Sequence, residues 1–195
     1  MYHKHHTKGI VLKNFEVGDS SKKIQIFTDE FGLITAKVQN ARSVNSKMRF
    51  GIQEYSFGNF SIVKGKNEWK LVSASSNQNL FEDFKNEKEK LLILLNVLNL
   101  IKKLSGEEEQ NKKIFYVVEN FIKFIKSAES GKLPLVECLV LLKILNIFGY
   151  MRNDPDFSIP MSASEINEKD LNIIAPKRAK VVELINESLK MSNLV

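Results

Sequence analysis

Lys8–Val38 reads KGIVLKNFEVGDSSKKIQIFTDEFGLITAKV. Three short runs are packed into it. KGIVLKNF is rich in Ile, Val and Leu. After the turn cluster Gly18–Asp19–Ser20–Ser21, Ile24 and Ile26 share one face of Lys22–Thr28. Asp29–Glu30–Phe31–Gly32 then has the composition of a hairpin turn, with Gly32 suited to positive φ. Beyond it Ile34, Ala36 and Val38 alternate along Leu33–Val38. Alternation at period two, broken by turn residues, predicts an antiparallel meander.

The reading extends outward from there. Asn40–Phe50 is polar and basic and reads as a long loop. Ile52–Lys64 is a fourth run, interrupted at Gly58–Asn59, with Tyr55 and Phe57 before the break and Phe60 and Ile62 after it. Gly65–Lys66–Asn67 turns the chain, and Trp69, Leu71 and Ser73 mark one side of a fifth run. Five strands in about 80 residues, with no helix-length segment among them, predict a small barrel that closes to protect its edges.

From Leu80 the period changes to helical spacing. Leu91, Leu92, Leu95, Leu98 and Ile101 mark one helix, and Phe115, Val118, Phe121, Ile122 and Ile125 a second. Pro134 suits the first turn of a third, apolar nearly all round, which Gly149 ends and which is expected at the centre of the bundle. Ser162 and Glu165 have capping-box spacing, which predicts a short helix over Ser162–Asn172, and Pro176 can open the last helix. The fold class expected is α+β, with a barrel domain over residues 1–80 and an all-helical domain over 81–195.

Composition narrows the function classes. Of 195 residues, 43% are apolar and 27% charged, which excludes a wholly disordered chain. The single cysteine, Cys138, excludes an intramolecular disulfide and any multi-cysteine zinc or iron–sulfur site, and reads as a buried small hydrophobe. The opening MYHKHHTKG is too polar for a signal peptide, and no apolar run approaches the ~18 residues of a membrane span. A reducing, cytoplasmic setting is expected. His3, His5 and His6 are the only histidines and read as a frayed terminus. With no histidine in the interior, Ser-His and Cys-His catalytic arrangements are excluded. Asp154 and Asp156 could hold a divalent ion but read as a solvated loop, and no phosphate-binding or dinucleotide fingerprint is present. The expectation is a non-enzymatic protein without cofactor.

Charge points to a partner. Residues 1–80 hold 12 basic and 6 acidic residues, whereas 81–195 hold 17 of each. The excess directs the search for an anionic ligand to the front domain. Its candidate phosphate contacts are Lys22, Lys23, Lys37, Arg42, Lys47, Arg49, Lys64, Lys66 and Lys70. Lysines and arginines on strands and loops, without a recognition helix, suit backbone contacts that tolerate any sequence. Tyr55, Phe57, Phe60 and Trp69 could stack on bases, but aromatic residues at strand spacing more often fill the barrel.

The front stretch also resembles the bacterial recombination mediator protein O (RecO) family. Lys8, Gly9, Val11 and Leu12 match its Lys-Gly-x-Val-Leu opening. Gly18 and Ser20 match its Gly-Glu-Ser turn, with Asp19 in place of the glutamate. Phe27, Thr28 and Gly32 match its Phe-Thr and glycine hairpin, and Ala41, Arg42 and Ser46 its basic loop, with Asn40 where the family prefers glycine. Leu141, Leu142, Gly149 and Tyr150 resemble its Leu-Leu…Gly-Tyr signature. The resemblance implies an N-terminal OB-fold, a helical domain and a nucleoid-associated mediator. Such a protein binds single- and double-stranded DNA, anneals strands and works with RecR, single-strand binding protein and, indirectly, the recombinase. The family's four-cysteine zinc module is missing: the segment after Tyr150, MRNDPDFSIPMSASE, has no cysteine. The resemblance further implies that an acidic tail of single-strand binding protein docks on the helical domain, with Lys143, Lys177, Arg178 and Lys180 as candidate cations. Two other readings fit the residues: an RNA-binding OB protein, or a protein-interaction adaptor without a recombination role.

Overall fold

The structure, a computed structural model, describes residues 3–17, 21–39, 46–162 and 164–192. Five strands, β1 (Lys4–Val17), β2 (Ser21–Thr28), β3 (Gly32–Val38), β4 (Ser56–Lys64) and β5 (Trp69–Asn79), close into a barrel in the order β1-β2-β3-β5-β4. Every neighbouring pair is antiparallel except β3–β5, which runs parallel through Ala36–Trp69 and Lys37–Lys70. A short helix, α1 (Ser46–Gly51), lies between β3 and β4 in the chain. This is the five-stranded OB-fold arrangement.

The barrel core is built by the alternation seen in the sequence. Val11, Ile24, Ile26, Ile34, Ala36, Val38, Phe60, Ile62, Trp69 and Leu71 pack inside it, and α1 adds Met48 against them. β1 is long because it serves two neighbours: Lys4–Ile10 pair with β4, and Gly9–Val17 with β2. One strand shared in this way closes the sheet and removes its edges. The strand begins four residues before the expected start, so His5 and His6 are strand residues rather than a frayed end. Gly58 does not interrupt β4. The strand runs through a bulge there, where a Cβ on Gly58 would lie 2.1 Å from the Ser75 carbonyl oxygen.

Gly32 adopts φ +66° in the β2–β3 turn, as its place in the hairpin predicts. A second constraint was not visible in sequence: a Cβ on Gly32 would lie 2.0 Å from the Glu109 carbonyl oxygen. The chain comes back to the barrel at Ser105–Lys112, where Glu107 bridges to Leu33 and the Glu108 N–H donates to the Leu33 carbonyl at 2.9 Å. The compact units therefore differ from a cut at residue 80. One comprises Met1–Lys88 with Ser105–Lys112, the other Glu89–Leu104 with Lys113–Val195. The first includes α2 (Leu80–Phe84), capped by the Asn79 side chain, which accepts from the Phe81 and Glu82 N–H groups.

The second unit is helical: α3 (Lys88–Leu104), α4 (Lys112–Ser127), α5 (Leu133–Ile147), α6 (Ser158–Ser162), α7 (Glu168–Ile174) and α8 (Arg178–Met191). α5 packs against α6, α7 and α8, as a helix apolar on all faces must. The expected helix over Ser162–Asn172 is not formed. Ser162 ends α6, and Asn167 caps α7 by accepting from the Asp170 N–H at 2.9 Å. Asparagine is as strong an N-cap as serine, so the later cap sets the start.

Candidate nucleic-acid interface

Directly opposed residues on paired strands share a face. Lys23 on β2 opposes Lys37 on β3, and Lys37 opposes Lys70 on β5. Their strand neighbours Ile24, Ala36 and Trp69 point into the core, so the three lysines form one row on the outer surface. Three adjacent strands at ~4.8 Å spacing place Lys23 and Lys70 about 10 Å apart along this row. Pairing continues from Lys70 through Val63 to Lys4, a cation that the sequence reading left out. Glu68, from the β4–β5 turn, reaches across the row, with a carboxylate oxygen 3.5 Å from Lys23 Nζ and the other 3.8 Å from Lys37 Nζ. Its placement offsets the repulsion that two opposed lysines would otherwise feel. Lys66 is exposed in the same turn, and Lys70 is exposed at the start of β5.

Lys22 and Lys64 do not join the row. Lys22 opposes Val38, Lys64 opposes Trp69, and each is held by a carboxylate. Lys22 pairs with Glu16 at 3.3 Å. Lys64 pairs with Glu108 and lies 5.2 Å from the centroid of the Trp69 ring, while the Trp69 indole N–H donates to Glu108 at 3.0 Å. The Lys64 ammonium, aided by that indole, holds the Glu108 carboxyl below its ordinary value. Arg49 is exposed on α1, which packs on β5 and β4, apart from the row. Arg42 and the side chain of Lys47 lie outside the described residues.

The returning acidic segment also changes the charge balance. The compact unit that contains the barrel holds 15 basic and 12 acidic residues, and the helical unit 14 and 11. The excess is shared equally between them, so the argument for the barrel rests on the lysine row rather than on net charge. Of the aromatic candidates, Phe60, Trp69 and Phe57 are buried. Trp69 packs edge-on with His5 and tilted against Phe31, and His6 Nδ1 is 3.0 Å from the Ser61 hydroxyl. His5 thus serves core packing and His6 the β1–β4 pairing. Among the described residues, no group of three or more His, Cys, Asp or Glu stands where it could hold a metal ion.

Residues 1–78 match the family model described as Recombination protein O N terminal. The front part of this chain is thus similar to the N-terminal domain of the RecO family. It is 25% identical over 123 residues to the DNA repair protein RecO of Alkaliphilus metalliredigens, covering 63% of this chain and 50% of that one. It is 23% identical over 150 residues to that of a Thermoanaerobacter species, covering 74% and 58%. With the RecO of Clostridium acetobutylicum the identity is 27% over 147 residues, covering 75% and 59%. The chain spans little more than half the length of these RecO relatives.

The tail-binding cations expected from sequence are engaged internally. Lys143 is fully buried; its ammonium donates to Asp170 at 2.8 Å and to the Pro160 carbonyl. Burial pushes the Lys143 pKa down, with Asp170 opposing the shift. Lys143 is therefore a tie between α5 and the segment that precedes α8, and it is not presented to a ligand. Lys177 pairs with Asp156 at 2.7 Å, and Lys180 pairs with Asp154 at 2.7 Å and Asp156 at 2.9 Å. These carboxylates answer why a helix begins with cations, and they identify Asp154–Asp156 as their partner loop. Arg178 is exposed beside them.

Proposed function

We propose that this chain is a DNA-binding accessory of DNA repair and recombination that grips the sugar–phosphate backbone across the outer face of β2, β3 and β5. The observation that carries the reading is the Lys23–Lys37–Lys70 row on a RecO-type OB barrel. OB-folds bind oligonucleotides over the β2–β3 face and the loops beside it, and both Lys23 and Lys37 lie on that face. The relatives' printed name, DNA repair protein RecO, supports the setting. Strand annealing, help in loading the recombinase, and work with RecR and single-strand binding protein belong to the same proposal. So do nucleoid association in the cytoplasm and the absence of catalysis. Among the described residues no helix is long and apolar enough to cross a membrane.

For a partner's acidic, aromatic-ended tail, the helical unit has a better place than the cations named from sequence. A groove of about 610 Å³ has Leu100, Leu141 and Leu189 in its lining and Lys103 beside them. Glu137, Asn96 and Asn99 complete the lining, so the three leucines suit the tail's aromatic end, while Glu137 offsets the charge of Lys103.

The test is binding of the purified protein to labelled single-stranded DNA, duplex DNA and RNA over a salt series. The proposal expects DNA affinity that falls linearly on a log–log plot against salt, with little sequence preference, and faster annealing of complementary strands. An affinity for DNA that is absent, or insensitive to salt, would overturn it. Strong preference for RNA would favour the RNA-binding reading.

A further inference from the structure

The far half of β1 leaves the barrel wall. Its pairing with β4 ends at Ile10, and from Lys13 to Val17 it pairs with β2 alone. On this arm Lys13, Phe15 and Val17 alternate along the outer face, and Phe15 is 38% exposed. A single exposed ring needs no explanation by itself. Its position does: Phe15 directly opposes Lys23 and so stands at the head of the lysine row. Lys13 Nζ lies 5.0 Å from its ring centroid. The other aromatic residues weighed for base contacts are buried or half-buried, so Phe15 is an apolar ring held in water between cations.

We infer that Phe15 is a base-stacking residue, on which single-stranded DNA lying along Lys23, Lys37 and Lys70 rests one of its bases. The inference builds on the DNA-binding reading above and adds a strand selectivity to it. Lysines that take phosphates do not distinguish a single strand from a duplex. An aromatic face does, because the bases of a duplex are already stacked on one another and cannot reach it. The occupant follows from the charge: Lys13, Lys23, Lys37 and Lys70 favour a polyanion, and the ring favours one whose bases are free. Stacking on an aromatic ring tolerates any base, in keeping with backbone contacts that carry no sequence code.

The experiment compares wild type, Phe15→Ala and Phe15→Trp on a labelled single-stranded oligonucleotide and its duplex, with thermal melts as the check on folding. F15A is expected to bind the single strand about 5- to 150-fold more weakly, the range for one stacked base. Its salt slope should be unchanged, since no phosphate contact is lost, and its duplex affinity should stay within about twofold. F15W should keep single-strand affinity, and its indole emission should be quenched by the oligonucleotide, since Trp69 is buried. A folded F15A with unchanged single-strand affinity, or one weakened equally on both DNAs, would overturn the stacking role and leave the DNA-binding reading standing. A wild-type protein that binds neither DNA would overturn both.

Discussion

Replacing Lys23, Lys37 and Lys70 together by alanine removes the row and little else. Each lysine that neutralises a phosphate on a single strand adds about 0.7 to the slope of log affinity against log salt. Three such contacts add about 2. Between 50 and 200 mM salt, a span of roughly 0.6 decade, wild type should then lose about 1.3 decades, near 20-fold, more affinity than the triple variant. The fold should tolerate the change. The side chains of Lys23 and Lys37 are 40% and 32% exposed, and each pairs with Glu68 only at 3.5–3.8 Å. Exposed pairs of this kind contribute about 0–1 kcal/mol, and removing two opposed like charges returns part of that. The melting temperature should move by no more than about 4 °C. Fluorescence anisotropy at four or five salt concentrations, beside circular dichroism melts, reads both quantities. A folded triple variant with the wild-type slope would refute the reasoning, because the phosphates would then be held elsewhere.

Three further outcomes are expected. Asp170→Ala leaves the Lys143 ammonium buried without its carboxylate and should cost about 3–5 kcal/mol in urea unfolding; a loss under about 1 kcal/mol would show that the pair is not the tie described. Asp156 is held at about 2 by Lys177 and Lys180, below its ordinary 3.8, so the unfolded chain takes up the proton first. Its stabilising contribution is present above pH 3.8 and lost as pH falls through about 2, and Lys177→Met with Lys180→Met should raise its carbon-13 titration midpoint toward 3.8; an unmoved midpoint would contradict the pairing. Glu108→Gln releases Lys64 while keeping an acceptor for the Trp69 indole, so single-strand affinity should rise and the salt slope steepen by up to about 0.7; an unchanged slope would place Lys64 away from the DNA.

The barrel was legible because strand alternation is local. Ile24 with Ile26, and Ile34 with Ala36 and Val38, announce an inner face, and the turn residues between them set the register. What sequence could not show is pairing across distance. From sequence, Ser105–Lys113 reads as an acidic-basic break between helices, yet Glu107 bridges to Leu33 and Glu108 takes Lys64 and Trp69, 39 or more positions away. That return, together with residues 81–88, moved the compact boundary and evened out the charge asymmetry that singles out the first 80 residues. Lys143 was misplaced for a similar reason. A lysine on an all-apolar helix must be buried with a partner, but nothing in the spacing names Asp170, which lies 27 positions on. For the interface, sequence supplied the lysines but not their grouping. Lys22 and Lys23 stand together among the candidates from sequence although strand parity puts them on opposite faces, and the parallel β3–β5 pairing that completes the row with Lys70 needs the fold. Phe15 sits at the end of an apolar run in the sequence, and only its register against Lys23 sets it on the outer face.

The central claim is where DNA sits, and backbone amide chemical-shift mapping tests it most directly. Nitrogen-15-labelled protein titrated with a short single-stranded oligonucleotide should show its largest shifts at residues 13–17, 22–24, 36–38 and 66–71. The amides of α4, α5 and α8 should stay in place. Shifts that spare β2, β3 and the start of β5, or that gather on the helical unit, would contradict the account.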